Sequence, residues 1–256
     1  MTLNEYVDNP MGKNNAILPV FIRESIRKNY TTRFNNLLLR ENGRINYYLY
    51  QDKKHNTYYA HIKVPSEVVP KLYYDVVFRF STDSKVKGLG KNLGDYNIEF
   101  FSNDPAFVFN FAHTFMKNGL FIKEFSPRMS KEAVKTRAKE RNPKDINGYV
   151  KSIFFGYLFL SQRGLLHTIR FGGAEDFDLK IVLSRIEPAD EKIHKRQEEG
   201  KKIDKRKKIM VDKNTLDNIS NIGISDKAKQ RLVTTKRTST VKKTSAVNKT
   251  KRTKRI

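Results

Sequence analysis

Every Phe and Tyr of this chain lies at or before Phe177, and the 79 residues after it contain no aromatic side chain. Large aromatic residues supply much of the apolar area that a core buries. The folded body is therefore expected within about residues 19–187. The end of the chain has the opposite character. After Asp226 come twelve Lys or Arg and no acid, so Lys227 to Ile256 carries +12. A segment with no large apolar groups and one sign of charge cannot bury enough surface to offset its ordering entropy. Residues 234–256 are thus read as a largely disordered basic tail.

Of the formal net charge of +24, residues 190–256 hold +14, from 22 basic and 8 acidic residues, which leaves +10 for residues 1–189. Charge of this size attracts polyanions over about a Debye length, ~8 Å at physiological salt. Nucleic acid is the expected partner, DNA ahead of RNA. The chain has no cysteine, which excludes disulfides, thiolate metal sites and Cys nucleophiles. Its longest apolar run, Ile153 to Leu160, is far short of the ~20 residues of a membrane span. Met1 to Lys13 includes Glu5 and Asp8 and lacks the apolar centre of a signal peptide. No membrane association and no cofactor are expected. The location implied is intracellular (host cytoplasm) or the interior of a virion.

Residues 1–18 read as an N-terminal arm, with turn signals at Asn9-Pro10 and Met11-Gly12. A short helix is predicted from Pro19 to about Lys28. Arg44–Gln51 and Thr57–Val64 read as strands of a hairpin, Tyr73–Ser81 as a third strand and Tyr96–Phe101 as a fourth. Ser102-Asn103-Asp104-Pro105 then opens an apolar helix to about Lys117. Ser130 caps a basic helix over Lys131–Glu140, Asp145–Gln162 forms a third helix, and Asp178–Ile186 forms a closing strand. A charged helix follows over Ala189 to about Met210. The fold class predicted is α+β: an antiparallel sheet of four to six strands covered by two or three apolar helices.

Candidate contacts with nucleic acid concentrate in the C-terminal third. Lys201, Lys202, Lys205, Arg206, Lys207 and Lys208 form one basic run, read as a phosphate-contacting helix face, a nuclear-import signal or a solvated helix. Lys227, Lys229, Arg231, Lys236 and Arg237 begin the acid-free stretch. Lys242, Lys243, Lys249, Lys251, Arg252, Lys254 and Arg255 complete it. Each cation can neutralise one phosphate and release a counterion, without reading bases. The interleaving of Lys and Arg with Thr, Ser and Val resembles the basic tails of linker histones. Within residues 188–233, a basic helical segment, Leu216–Leu232 resembles a helix-hairpin-helix, with Gly223 at the hairpin and Ser225 capping the next helix. Backbone N–H groups there would hold a phosphate. Asn221 stands where that family has its first hairpin glycine, and the alternative is a short helical hairpin with a packing role.

Other residues are of types that can carry chemistry. Gly88, Gly90 and Gly94 do not precede a helix as a dinucleotide loop requires, although Lys85, Lys87 and Lys91 make that loop a candidate phosphate contact. His55, His61, His113, His167 and His194 have no metal-ligand spacing. Asp75, Asp95, Glu99 and Asp104 would serve a metal-dependent nuclease only if two or three converged beside a Lys. Tyr47, Tyr48, Tyr50, Tyr58 and Tyr59 are candidates for a base-stacking platform, or equally for a core or subunit interface.

The stretches SNDPAFVFNFAHTFMKNGLFI (Ser102 to Ile122) and RNPKDINGYVKSIFFGYLFL (Arg141 to Leu160) resemble uncharacterised tailed-bacteriophage proteins. That resemblance, over about a quarter of the chain, brings no catalytic pattern. It implies a virion or packaging-associated protein whose basic tail meets the genome. The expected function is a non-enzymatic, nucleic-acid-associated structural protein whose body docks to a protein partner or to copies of itself. The alternatives are a metal-dependent nucleic-acid-processing enzyme and a sequence-specific RNA or ribosome-associated protein.

Overall fold

A computed structural model describes residues 1–10, 19–81, 92–131, 142 and 147–202. The chain divides into two compact units, Met1–Glu199 and Gly200–Ile256. Only residues 200–202 of the second are described. The first unit is α+β and extends past the boundary expected at 187, since Ala189 and Lys192 are buried in it.

Four strands follow one another as an antiparallel meander: β1 (Tyr47–Asp52), β2 (Thr57–Pro65), β3 (Tyr73–Ser81) and β4 (Asn97–Ser102). A two-residue strand, β5 (Glu175–Asp176), adds to β1 in parallel, so the order is β4-β3-β2-β1-β5. The sheet is therefore mixed at one edge, where an all-antiparallel sheet was expected. The β1–β2 hairpin turns where polar residues predicted it. Asp52 Oδ1 accepts from Lys54 N at 3.0 Å and His55 N at 3.3 Å, and Asn56 takes φ 46°, a left-handed conformation that Asn tolerates.

The register sets two faces. Tyr58, Ala60, Ile62 and Val64 of β2 lie opposite Phe80, Phe78, Val76 and Tyr74 of β3. This apolar face packs against helix α5 (Lys151–Gln162). Contact is close at Gly156, where an added Cβ would lie 2.6 Å from Phe78 Cε2 and 2.9 Å from its Cζ. Phe78 is fully buried and has no room to move. Gly156→Ala is expected to cost about 1–3 kcal/mol by overpacking, read from a urea or thermal unfolding curve. An unchanged midpoint would mean that the helix can slide outward.

The N-terminus is not an arm over its described part. Leu3, Tyr6 and Val7 fall on one face of α1 (Leu3–Asp8) and are buried. Thr2 and Glu5 form a capping box at its start. Residues 11–18 lie outside the described residues. Helix α2 (Val20–Arg40) runs well beyond the predicted end at Lys28, because nothing breaks the helix before Asn42 and Gly43. These two take φ 51° and 71°, and Gly43 N closes the end on Leu38 O at 2.7 Å.

The predicted helix after Asp104 is present but divided into α3 (Pro105–Asn110) and α4 (Ala112–Lys117), with Phe111 at φ −127° between them. Asp104 caps it through Ala106 N at 3.1 Å. The basic helix expected over Lys131–Glu140 lies outside the described residues but for Lys131. Helix α5 begins at Lys151 and not at Asp145. Tertiary bonds hold the preceding residues out of the helix: Tyr6 Oη donates to Gly148 O at 2.9 Å and Tyr149 Oη to Val7 O at 2.7 Å, and Gly148 takes a left-handed φ of 58°.

The closing strand predicted over Asp178–Ile186 is instead helix α6 (Leu179–Arg185). The Asp178 carboxylate accepts from Lys180 N at 2.7 Å and Ile181 N at 3.2 Å, and this cap outweighs the β preference of Ile-Val-Leu. Asp178→Ala is expected to cost about 1 kcal/mol, measured as a shift in unfolding midpoint. Residues 189–202 are helical (α7), matching the first part of the charged helix expected there.

Candidate functional site

The second face of the sheet sets polar residues beside the buried apolar Val77 and Phe101. Tyr48 and Tyr50 of β1, Tyr59, His61 and Lys63 of β2, Asp75 and Arg79 of β3, and Glu99 of β4 share it by register. It is not open to solvent. Phe177 stacks on Tyr59 with ring centroids 4.0 Å apart and planes at 9°. The Arg185 guanidinium lies 4.6 Å from the Tyr48 ring centroid and donates to Tyr50 Oη at 2.9 Å. On the other face Tyr58 is buried, and Tyr47 packs edge-on against Phe159 beneath Arg163. The tyrosine platform proposed for base stacking is thus covered on both faces, as a core residue set would be.

The carboxylates proposed for metal chemistry do not come together. Asp95 is exposed, accepts from Asn4 Nδ2 at 2.9 Å and lines an open cleft of about 760 Å³ with Glu5 and Asp8. Glu99 pairs with Arg79, which also donates to Glu124 at 2.7 Å. Burial raises the Glu99 carboxyl by more than Arg79 lowers it. Asp104 is spent on its helix cap. Among the described residues no three His, Asp or Glu side chains are placed to share a metal ion.

Asp75 has a different role. It is buried and saturated with donors. Its Oδ1 accepts from His61 Nε2 at 2.8 Å and Lys63 Nζ at 3.2 Å, and its Oδ2 from Asn103 Nδ2 at 2.8 Å and Glu187 N at 3.3 Å. Asn103 Oδ1 accepts in turn from Asp75 N at 2.7 Å, and its Nδ2 also donates to Glu187 O at 2.8 Å. Lys63 Nζ reaches Arg185 O at 3.0 Å. Glu187 then pairs with the buried Lys192 at 3.0 Å and with Lys195 at 2.7 Å. One carboxylate thereby ties strands β2 and β3 and Asn103, just after β4, to the 185–187 segment.

Burial alone would raise the Asp75 carboxyl. The His61 hydrogen bond, the charge that His61 gains in acid and the nearby Lys63 and Lys192 charges outweigh it and bring the group down to about 2. Burial pushes the His61 imidazole down, against the pull of Asp75. His61 is therefore neutral near pH 7, its Nε2–H donated to Asp75, and its Nδ1 has no hydrogen-bond partner among the described residues. Both groups lose stability in acid. His61 binds a proton more readily when unfolded, so stability falls as pH drops below its ordinary 6.5. The Asp75 contribution is complete above 3.8 and is lost as pH falls to about 2, roughly 2 kcal/mol in all. Unfolding midpoints measured from pH 8 to 2 should decline in these two stages. A flat profile from pH 7 to 4 would show that His61 is not held neutral.

Of the residues proposed to contact nucleic acid, only Lys201 and Lys202 are described; both are exposed on α7. The remainder, from Lys205 to Arg255 and including Gly223, lie outside the described residues, as do Gly88, Gly90 and their lysines. Sequence reasoning singled out Asp75 but missed its partners. A signal existed: His61 and Lys63 alternate with Ala60, Ile62 and Val64, which puts two polar groups on one face of a central strand. No helix among the described residues is long and apolar enough to cross a membrane. Comparison with family models, with curated proteins and with solved structures finds no match.

Proposed function

We propose that the protein is a non-enzymatic, nucleic-acid-associated structural protein whose basic C-terminal arm contacts phosphates without sequence specificity. One observation carries the reading: Lys227 to Ile256 holds twelve cations and no acid, in a stretch with no aromatic residue. Such a segment binds polyanions through counterion release. DNA is favoured over RNA, and the body is left to dock to a protein partner or to another copy of itself. The phage-like stretches support a place in a virion or in genome packaging. The commitment of Asp75, Glu99 and Asp104 to internal partners favours this reading over a nuclease assembled from the same residues.

The test mixes the full chain with random-sequence duplex and single strand, with and without Mg²⁺, and selects bound sequences from a random pool. Binding with no cleavage and no recovered motif is expected. Mg²⁺-dependent cleavage would establish the enzyme reading, and a recovered RNA motif the ribosome-associated one.

A further inference from the structure

Buried charge is costly, and apolar packing would hold α6 and α7 on the sheet at lower cost. Val182, Ile186 and Ala189 already supply such packing. Yet the seam also contains a buried carboxylate, a buried amide and the buried Lys192. Apolar contacts tolerate sliding, because they are non-directional. Hydrogen bonds to backbone groups do not. Here Asp75 takes Glu187 N, Asn103 donates to Glu187 O, and Lys63 donates to Arg185 O. These three contacts read backbone positions on the 185–187 segment, and a shift of one residue would misplace all of them.

We propose that Asp75, Asn103 and Lys63 form a polar latch that fixes the register of residues 185–199, the end of the first unit, on the sheet. The three are positioning residues. The latch takes from the proposed function only that the arm holds nucleic acid.

The chain has no cysteine, so spin labels can be placed at K54C and Q197C, both exposed positions. The interlabel distance is then measured by pulsed electron resonance in the full chain, and again with N103A or K63M added. K63M is the milder change, since Asp75 keeps its other three donors, and it decides alone if N103A fails to fold. The parent is expected to give one narrow distance. The variants are expected to give a broadened or second distance while circular dichroism still reports a folded body. A single narrow distance in a folded, destabilised variant would overturn the latch, because the polar cluster would then contribute stability alone. Affinity for a random duplex is measured on the same samples and should stay within about threefold, since no arm cation has changed. Failure of the parent to bind would defeat the nucleic-acid reading and leave the distance result standing.

Discussion

Replacing Asp75 by Asn is expected to lower the free energy of unfolding by about 3–5 kcal/mol, the usual cost of removing one partner from a buried charge pair. The carboxylate accepts four donors on two oxygens. An amide offers one oxygen and presents N–H where the other was. It must then face either His61 and Lys63 or Asn103 and Glu187 N with donors against donors. Lys192, almost fully buried, also loses a nearby negative charge. For a domain whose total stability is typically 5–15 kcal/mol, this change approaches global unfolding. Chemical denaturation gives the number. A loss below 1 kcal/mol would mean that water reaches the seam.

The second large effect concerns binding. Replacing the twelve cations of residues 227–256 by Gln should remove most affinity for duplex DNA. Each phosphate contact contributes roughly −0.9 to the slope of log affinity against log salt, so full engagement of the twelve gives a slope near −11. With 6–10 contacts engaged, affinity of the parent falls about 10³–10⁵-fold between 50 and 200 mM salt. The neutralised chain should keep only the much shallower dependence that the Lys201–Lys208 run can supply. The +10 of residues 1–189 is far less dense than the arm's charge, and among the described residues some of its cations are already paired, such as Arg33 with Glu67 and Arg79 with Glu99. It is expected to contribute little.

Local signals made much of the sheet legible. Strand β3 coincides with its predicted span, Tyr73–Ser81, and the Asp52–Asn56 turn joins the strands on either side of it. Errors arose where distant residues decide. Residues 147–150 belong to a helical pattern but are held out of the helix by Tyr6 and by Val7 O, about 140 residues away in sequence. Residues 179–185 carry a β-rich composition, yet a single aspartate cap turns them into a helix. The polar cluster is half visible: Asp75 is a candidate carboxylate for metal chemistry, but its actual partners come from positions 61, 63, 103 and 187. No spacing rule connects those positions. The arm's charge is plain in the sequence, since charge, unlike packing, needs no fold to be counted.

The measurement that tests the account most directly compares the full chain with residues 1–202, a truncation that keeps the whole first unit and α7, where a cut at 187 would remove the buried Ala189 and Lys192. Binding to random duplex is followed across salt, with Mg²⁺ present. The account predicts steep, salt-sensitive binding by the full chain, its loss on truncation, an intact body and no cleavage. Retention of the full salt slope by residues 1–202 would contradict it and place the nucleic-acid site in the body.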